Sequence, residues 1–162
     1  MSAVGPRATS HLVGVISDTH GLLRPAAVAA LAGCELIVHA GDVGGSEVLD
    51  GLRQVAPVVA VRGNVDIDEW GWRLPQSEVV EVGGVRLYVL HDLAKLDLDP
   101  AAAGFAAVIF GHSHRADATV RHGVLFLNPG SAGPRRFRLP VSVARVQVVN
   151  GRVTAEIVNL SV

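Results

Sequence analysis

Seven side chains of this protein are of types that hold metal ions or move protons, and each follows an apolar run: Asp18, His20, Asp42, Asn64, His91, His112 and His114. The densest group is Gly111, His112, Ser113 and His114, directly after the apolar residues 108–110. In extended backbone, residues i and i+2 point to the same side, so the two imidazoles can converge on one point beyond the strand end. Asp18 and His20 repeat that spacing after another apolar run, and Gly41-Asp42 and Gly63-Asn64 each close a further one. Imidazole, carboxylate and amide donors at several strand ends suit divalent cations, and a two-metal site needs about seven donors with one that bridges.

Taken singly, these residues have plainer readings. An aspartate after a strand caps a helix or turn, a Gly-Asn pair makes a turn, and a lone histidine at a strand end satisfies its own hydrogen bonds. His112 and His114 as a pair are harder to explain by folding, because neighbouring imidazoles repel once protonated.

The elements that must position these side chains come in two styles. Residues 12–17, 35–39 and 57–61 read as short buried strands, alternating with helices at 24–32 and 45–52. That alternation is the βαβ pattern of a parallel sheet, whose sites lie at strand ends. The second half reads as antiparallel β-structure: strands at 78–82 and 85–90 around Gly83-Gly84, a helical turn at 100–103, and a strand at 107–110. A pair at 116–120 and 124–128 follows, then a hairpin at 141–149 and 152–158 around Asn150-Gly151. The expected fold class is α/β, two stacked sheets with helices on the outer faces, built as a single domain over residues 11–162. Residues 1–10 read as a disordered lead-in.

The order Asp-x-His, Gly-Asp, Gly-Asn, His, Gly-His-x-His resembles the calcineurin-like metallophosphoesterase superfamily, in particular its small YfcE-like phosphodiesterases. The resemblance runs from residue 13 to about residue 136, with Val38 to Asp42 and Asn128-Pro129-Gly130-Ser131 also similar to that subgroup. It implies a two-sheet β-sandwich flanked by helices (an αββα arrangement). Asp18, His20 and His114 would then match ligands of a first metal and Asn64, His91 and His112 those of a second, with Asp42 bridging. It also implies a hydrolase that attacks a phosphate ester in line with a metal-bridging hydroxide, on phosphodiesters ahead of monoesters. Asn64 and His112 would lie close to the phosphate as catalytic residues. The cofactors would be two divalent ions, manganese first, with iron, nickel or zinc also compatible.

The chain departs from the family's larger members in two places. Val65 stands where they carry a histidine that assists the leaving group, and Asp92 stands where many relatives have glycine. Asp92 is open to three readings: raising metal affinity, an outer contact, or capping the next turn. Asp66 reads as orienting a histidine ligand or capping a turn, and His39 as a buried structural histidine. Arg135, with Arg136, is a candidate for binding substrate phosphate or a pair of exposed loop arginines. Trp70 and Trp72 lie on a loop that could cap the site, stack on an aromatic group, or pack on the domain or a second subunit.

Composition bounds the partners. A net charge of −1 supplies no field for nucleic acid or an anionic membrane, so a small phosphate ester is the expected partner, with a homodimer open. The single cysteine, Cys34, excludes an intramolecular disulfide and suits a reducing cytoplasm. No apolar run is long enough to span a membrane, and the N-terminus does not read as a signal peptide. Two other functions compete: a catalytically weak scaffold like the eukaryotic retromer subunit of this fold, and a mononuclear hydrolase or metal-binding protein.

Overall fold

A computed structural model describes residues 10–162, so the lead-in expected over 1–10 lies outside the described residues except for Ser10, which opens the first strand. The described elements are β1 (Ser10–Ile16), α1 (Pro25–Ala30), β2 (Leu36–His39), α2 (Ser46–Arg53), β3 (Val58–Ala60) and α3 (Glu69–Trp72). Then come β4 (Ser77–Val82), β5 (Val85–Leu90), a single 3-10 turn (Leu93–Lys95), β6 (Ala107–Ile109), β7 (Asp117–Arg121), β8 (Val124–Asn128), β9 (Ser142–Val149) and β10 (Arg152–Asn159). They form two five-stranded sheets, ordered β10-β9-β1-β2-β3 and β4-β5-β6-β8-β7. This is the α/β sandwich expected from the motif order.

Both sheets are mixed. In the first, β1 pairs in parallel with β2 and β2 with β3, while the β9–β10 hairpin adds antiparallel strands at one edge. The second sheet was expected to be antiparallel; its centre is in fact parallel, β5 with β6 and β6 with β8, with antiparallel pairs only at its edges. The pattern hid this because β6 is buried at all three positions and shows no alternation, which is what a central parallel strand looks like. Three hairpins turn through two residues that both have positive φ: Gly83-Gly84, His122-Gly123 and Asn150-Gly151. Such turns match the right-handed twist of the flanking strands.

Period-two alternation sorts the side chains. Val13, Val15, Val38 and Ala40 face the second sheet, where Leu87, Val89, Ile109 and Leu127 complete the inter-sheet core. Ile16, Ile37 and Val143 face outward under α1 and α2, meeting Leu31, Val48, Leu49 and Leu52. The other outer face, Val108, Phe110 and Val124, is covered by Leu93 and Leu96 rather than by an α-helix. The segment expected as a helical turn at 100–103 is a hydrogen-bonded turn ending at Gly104. The tryptophan loop holds the short α3, with Trp70 packed on the helix-side core and Trp72 exposed.

Two buried polar residues lock the loops at the carboxyl ends of β2 and β3. Asp66 accepts hydrogen bonds from the amides of Val43 (3.1 Å), Gly44 (3.0 Å) and Gly63 (2.9 Å). It therefore caps turns and meets no histidine in these bonds, which decides between its two readings. His39 is fully buried; its Nδ1 accepts from the Gly41 amide and its Nε2 lies 3.0 Å from Thr19 Oγ1. Because Thr19 Oγ1 donates to the Val43 carbonyl, His39 Nε2 must carry the proton and donate. Burial first, and the nearby His91 second, push its pKa down to about 3.

Two stability measurements follow. Asp66→Ala leaves three amides without their acceptor and should cost about 3 kcal/mol or more in urea unfolding; a loss below about 1 kcal/mol would show that the clamp is dispensable. His39 stays neutral in the fold while the unfolded chain protonates near pH 6.5, so stability is full above that pH and falls toward pH 3. The slope from this one residue approaches ~1.4 kcal/mol per pH unit. In chelator-treated protein, His39→Gln should flatten the dependence of urea unfolding on pH between 6 and 5 by about one proton.

Candidate metal centre and adjoining cleft

Loops from both sheets bring the seven residues to one end of the sandwich. Asp18 and His20 follow β1, Asp42 follows β2, Asn64 follows β3, His91 follows β5, and His112 and His114 follow β6. The i, i+2 geometry differs from the extended backbone expected. Asp18, His20, Asp42, His112 and His114 all have positive φ, from 46° to 74°. Each such residue costs roughly 1–2 kcal/mol, and their clustering at one place marks a functional constraint rather than a folding need.

Two glycines make this convergence possible. A Cβ on Gly63 would collide with the Asp42 amide and its Oδ1, and one on Gly111 would collide with Ser17 Oγ and Asp18 Oδ2. The glycines of the Gly-Asn and Gly-His motifs are thus required by close approach to the two carboxylates.

Each carboxylate spends one oxygen on the scaffold. Asp18 Oδ2 accepts from Ser17 Oγ (2.6 Å) and the His112 amide (3.1 Å), and Asp42 Oδ1 accepts from the Val65 amide (3.0 Å). The other oxygens face imidazoles: Asp18 Oδ1 is 3.3 Å from His114 Nε2, and Asp42 Oδ2 is 3.3 Å from His91 Nε2. His20 Nε2 stands 3.9 Å from Asp18 Oδ1, 3.8 Å from Asp42 Oδ2 and 3.4 Å from His114 Nε2. His91 donates Nδ1–H to the Ala40 carbonyl (2.7 Å), which leaves Nε2 facing the cluster. Asn64 Oδ1 lies 3.1 Å from that Nε2, on the same side as the Asp42 oxygens.

This arrangement fits divalent ions. Asp18 Oδ1 is buried with no hydrogen-bond partner among the described residues, although buried acceptors are normally satisfied. Donors sharing one ion at about 2.1 Å stand roughly 3–3.5 Å apart, the spacing of the closest pairs here. Two triads, Asp18–His20–His114 and Asp18–Asp42–His91, have donor atoms within 4.8 Å of one another. Asp18 belongs to both triads, and Asp42 lies between His91 and His20. His112 and His114 diverge: the His112 ring is exposed and packs edge-on against His91 at 5.2 Å, while the buried His114 ring lies against His20 at 5.3 Å.

The electrostatics are those of a negative cluster. Burial works against charging His91, but the hydrogen bond and charge of Asp42, helped by Asp18, hold its pKa above the ordinary value. Burial would raise Asp42, yet the His91 bond and charge bring it below the usual carboxylate range. His114 is pushed down by burial, against the pull of Asp18.

Several supporting residues were not picked out for these roles in the sequence. Ser17 holds Asp18. Ser131 Oγ donates to the Asp18 carbonyl, and Asn128 donates to the Gly111 carbonyl and to Ser113 Oγ. The signal was there in a polar residue at the buried end of β1 and in the Asn128 to Ser131 motif. Asp92 accepts from the Ala94 amide and caps the 3-10 turn. Arg135 is exposed beyond Gly133 and does not border the cleft described next, while Arg136 adds to the depression of the His114 pKa. A cleft of about 340 Å³ opens beside Asn64, His91 and His112, with Arg62 and Trp72 on its wall.

The chain is similar to known proteins over most of its length. A probable metallophosphoesterase of Methanocaldococcus jannaschii is 35% identical over 160 residues, covering 91% of this chain and 80% of its own. A crystal structure of wild-type Vps29 from Entamoeba histolytica, complexed with Zn2+, is 25% identical with a TM-score of 0.67 over 93% of this chain and 99% of that one. An archaeal phosphodiesterase structure shares the fold at 19% identity, with a TM-score of 0.76 over 91% of this chain and 99% of that one. The family model of the calcineurin-like phosphoesterase superfamily domain matches residues 12–151. Given that match and the cluster it encloses, the chain belongs to the calcineurin-like phosphoesterase superfamily.

Proposed function

We propose that this protein is a dinuclear metal-dependent phosphodiesterase. The observation that carries the reading is the pair of buried carboxylates, each with one oxygen anchored to the scaffold and the other turned toward imidazole nitrogens that a cation could share. Asp18, His20 and His114 would hold one ion, and Asn64, His91 and His112 the other. Asp42 would lie between them, with Asp18 near both. When bound, such ions neutralise phosphate charge and make water nucleophilic at neutral pH. Manganese, iron, nickel and zinc all accept these donors, and the Vps29 relative carries zinc.

Asn64 and His112 are the two members of the set that are exposed, and both border the cleft. They are therefore the ones that can touch substrate: the Asn64 amide by donating to a phosphoryl oxygen, the His112 imidazole by donating to one or accepting a proton. Val65 offers no proton to a departing alkoxide, which favours esters with good leaving groups. A diester brings one negative charge beside Asp18 and Asp42, where a monoester dianion would bring nearly two. The reading is of a cytoplasmic enzyme for a small phosphate ester. The scaffold alternative rests on likeness to Vps29, and the retention of all seven donor positions weighs against it.

The test is hydrolysis of bis-p-nitrophenyl phosphate by protein stripped with chelator and titrated with manganese. Activity should return with metal, and His112→Ala should lower kcat by about 100-fold or more. A metal-loaded wild type that hydrolyses neither this diester nor p-nitrophenyl phosphate would overturn the reading. Metal analysis should find two ions per chain and fewer in Asp42→Asn; one ion per wild-type chain would instead make the centre mononuclear.

A further inference from the structure

Arg62 ends the run from β3 just before Gly63-Asn64, so its place beside the cluster is set by the same loop that carries Asn64. Its guanidinium lies over the Trp72 ring, 4.3 Å from the centroid. Trp72 is itself held by its indole Nε1–H, which donates to the Ile67 carbonyl at 2.7 Å. Among the described residues, no carboxylate forms a salt bridge with Arg62. This differs from Arg53 and Arg73, which pair with Asp50 and Glu69 at 3.0 Å.

Stacking fixes an arginine through its face and leaves the N–H groups at its edge free in the plane. Those donors match the two oxygens of a carboxylate or phosphate. The wall that Arg62 forms is continuous with Asn64 and His112, and Lys95 adds a second cation to the same cleft. Asp66, Asp92 and Asp97 border it too, but Asp66 is engaged by three backbone amides and one oxygen of Asp92 by the Ala94 amide. At about 340 Å³, the cleft has room for a group larger than the scissile phosphate itself.

We propose that Arg62, braced by Trp72, is a specificity residue that recognises a second anionic group, phosphate or carboxylate, on the organic part of the substrate. The inference rests on the phosphodiesterase reading and narrows its substrate class: a diester whose remote substituent carries its own negative charge. The scissile phosphate belongs to the metal-side residues. The cleft takes the substituent, and Arg62 fixes its orientation by a bidentate contact.

Three p-nitrophenyl esters of thymidine 5′-phosphate separate these roles: one with a free 3′-hydroxyl, one with a 3′-phosphate and one with a 3′-succinyl carboxylate. They share leaving group and scissile diester and differ at the 3′ position in size and in charge, so the Arg62→Ala comparison isolates the contribution of the charge. Manganese-loaded wild type should prefer at least one charged ester by about 10-fold or more in kcat/KM, and the preferred one identifies the anion. Arg62→Ala should collapse that ratio toward one, whatever happens to the uncharged ester. Trp72→Leu should lower the ratio mainly through KM. No preference in wild type would overturn the proposal. So would equal loss on all three esters in Arg62→Ala, because that would put the arginine on the scissile phosphate or in the fold.

A calorimetric titration provides a readout that does not depend on turnover. Thymidine 3′,5′-bisphosphate should bind wild type tighter than thymidine 5′-phosphate does, and Arg62→Ala should remove that difference; if the charged ester is the succinyl one, 3′-succinyl thymidine 5′-phosphate replaces the bisphosphate. If no ester is hydrolysed but the Arg62-dependent binding difference persists, the phosphodiesterase reading fails and the anion subsite stands. If the esters are hydrolysed and neither charged ligand gains from Arg62, the subsite fails and the phosphodiesterase reading stands.

Discussion

The structure depends on a buried carboxylate that belongs to both sheets at once. Asp18 leaves β1 of the first sheet, yet its Oδ2 accepts the amide of His112 from the loop that leaves the second. Around it, the Ala132 amide donates to the Ser17 carbonyl and Ser131 to the Asp18 carbonyl, so the loop between β8 and β9 is tied to the same point. A charged group at zero exposure is expensive unless its oxygens are satisfied. Here one oxygen is satisfied by the scaffold, and the other is left to the imidazoles and to whatever cation they share.

The cost of that arrangement is distributed. Hydrophobic packing between the sheets and under the helices holds the strand ends in register, and the loops beyond them take up the strained left-handed conformations that aim the donors. Neutral His39 and the Asp66 clamp are part of the same economy. Each satisfies loop amides without adding an unpaired charge near the cluster, His39 by staying deprotonated and Asp66 by accepting from three backbone donors. The cluster can therefore be strongly polar at its centre while the loop amides held by His39 and Asp66 remain bonded.

From centre to cleft there is a gradient in exposure. Asp18, Asp42, His91 and His114 are buried, while Asn64 and His112 are exposed and reach the cleft. On the proposed reading the inner residues would hold cations and the outer ones would meet a phosphate, with the stacked Arg62–Trp72 pair on the wall of the same cleft. That reading would divide binding, chemistry and selection among different loops on one sandwich. That is how a small fold can vary its substrate without disturbing its centre.

The α/β class, the strand–helix alternation of the first half and the placement of the seven candidate residues beyond strand ends were legible in the chain, because each candidate follows an apolar run and each run has the length of a strand. The Asn150-Gly151 hairpin was legible for the local reason that its turn needs two residues at positive φ. Other features were not local and could not be read that way. The parallel centre of the second sheet depends on which buried strand lies beside which. The roles of Asp66 and Asp92 depend on which amides come within reach. The left-handed backbone at His112 and His114, which sends the two rings to different neighbours, depends on the close approach of Gly111 to Ser17 and Asp18. The stacking of Arg62 on Trp72 joins residues that no spacing rule connects. The sequence by itself determined which chemistry was available and at which strand ends; only the tertiary structure decided which donors face one another, because that is a property of two sheets brought together.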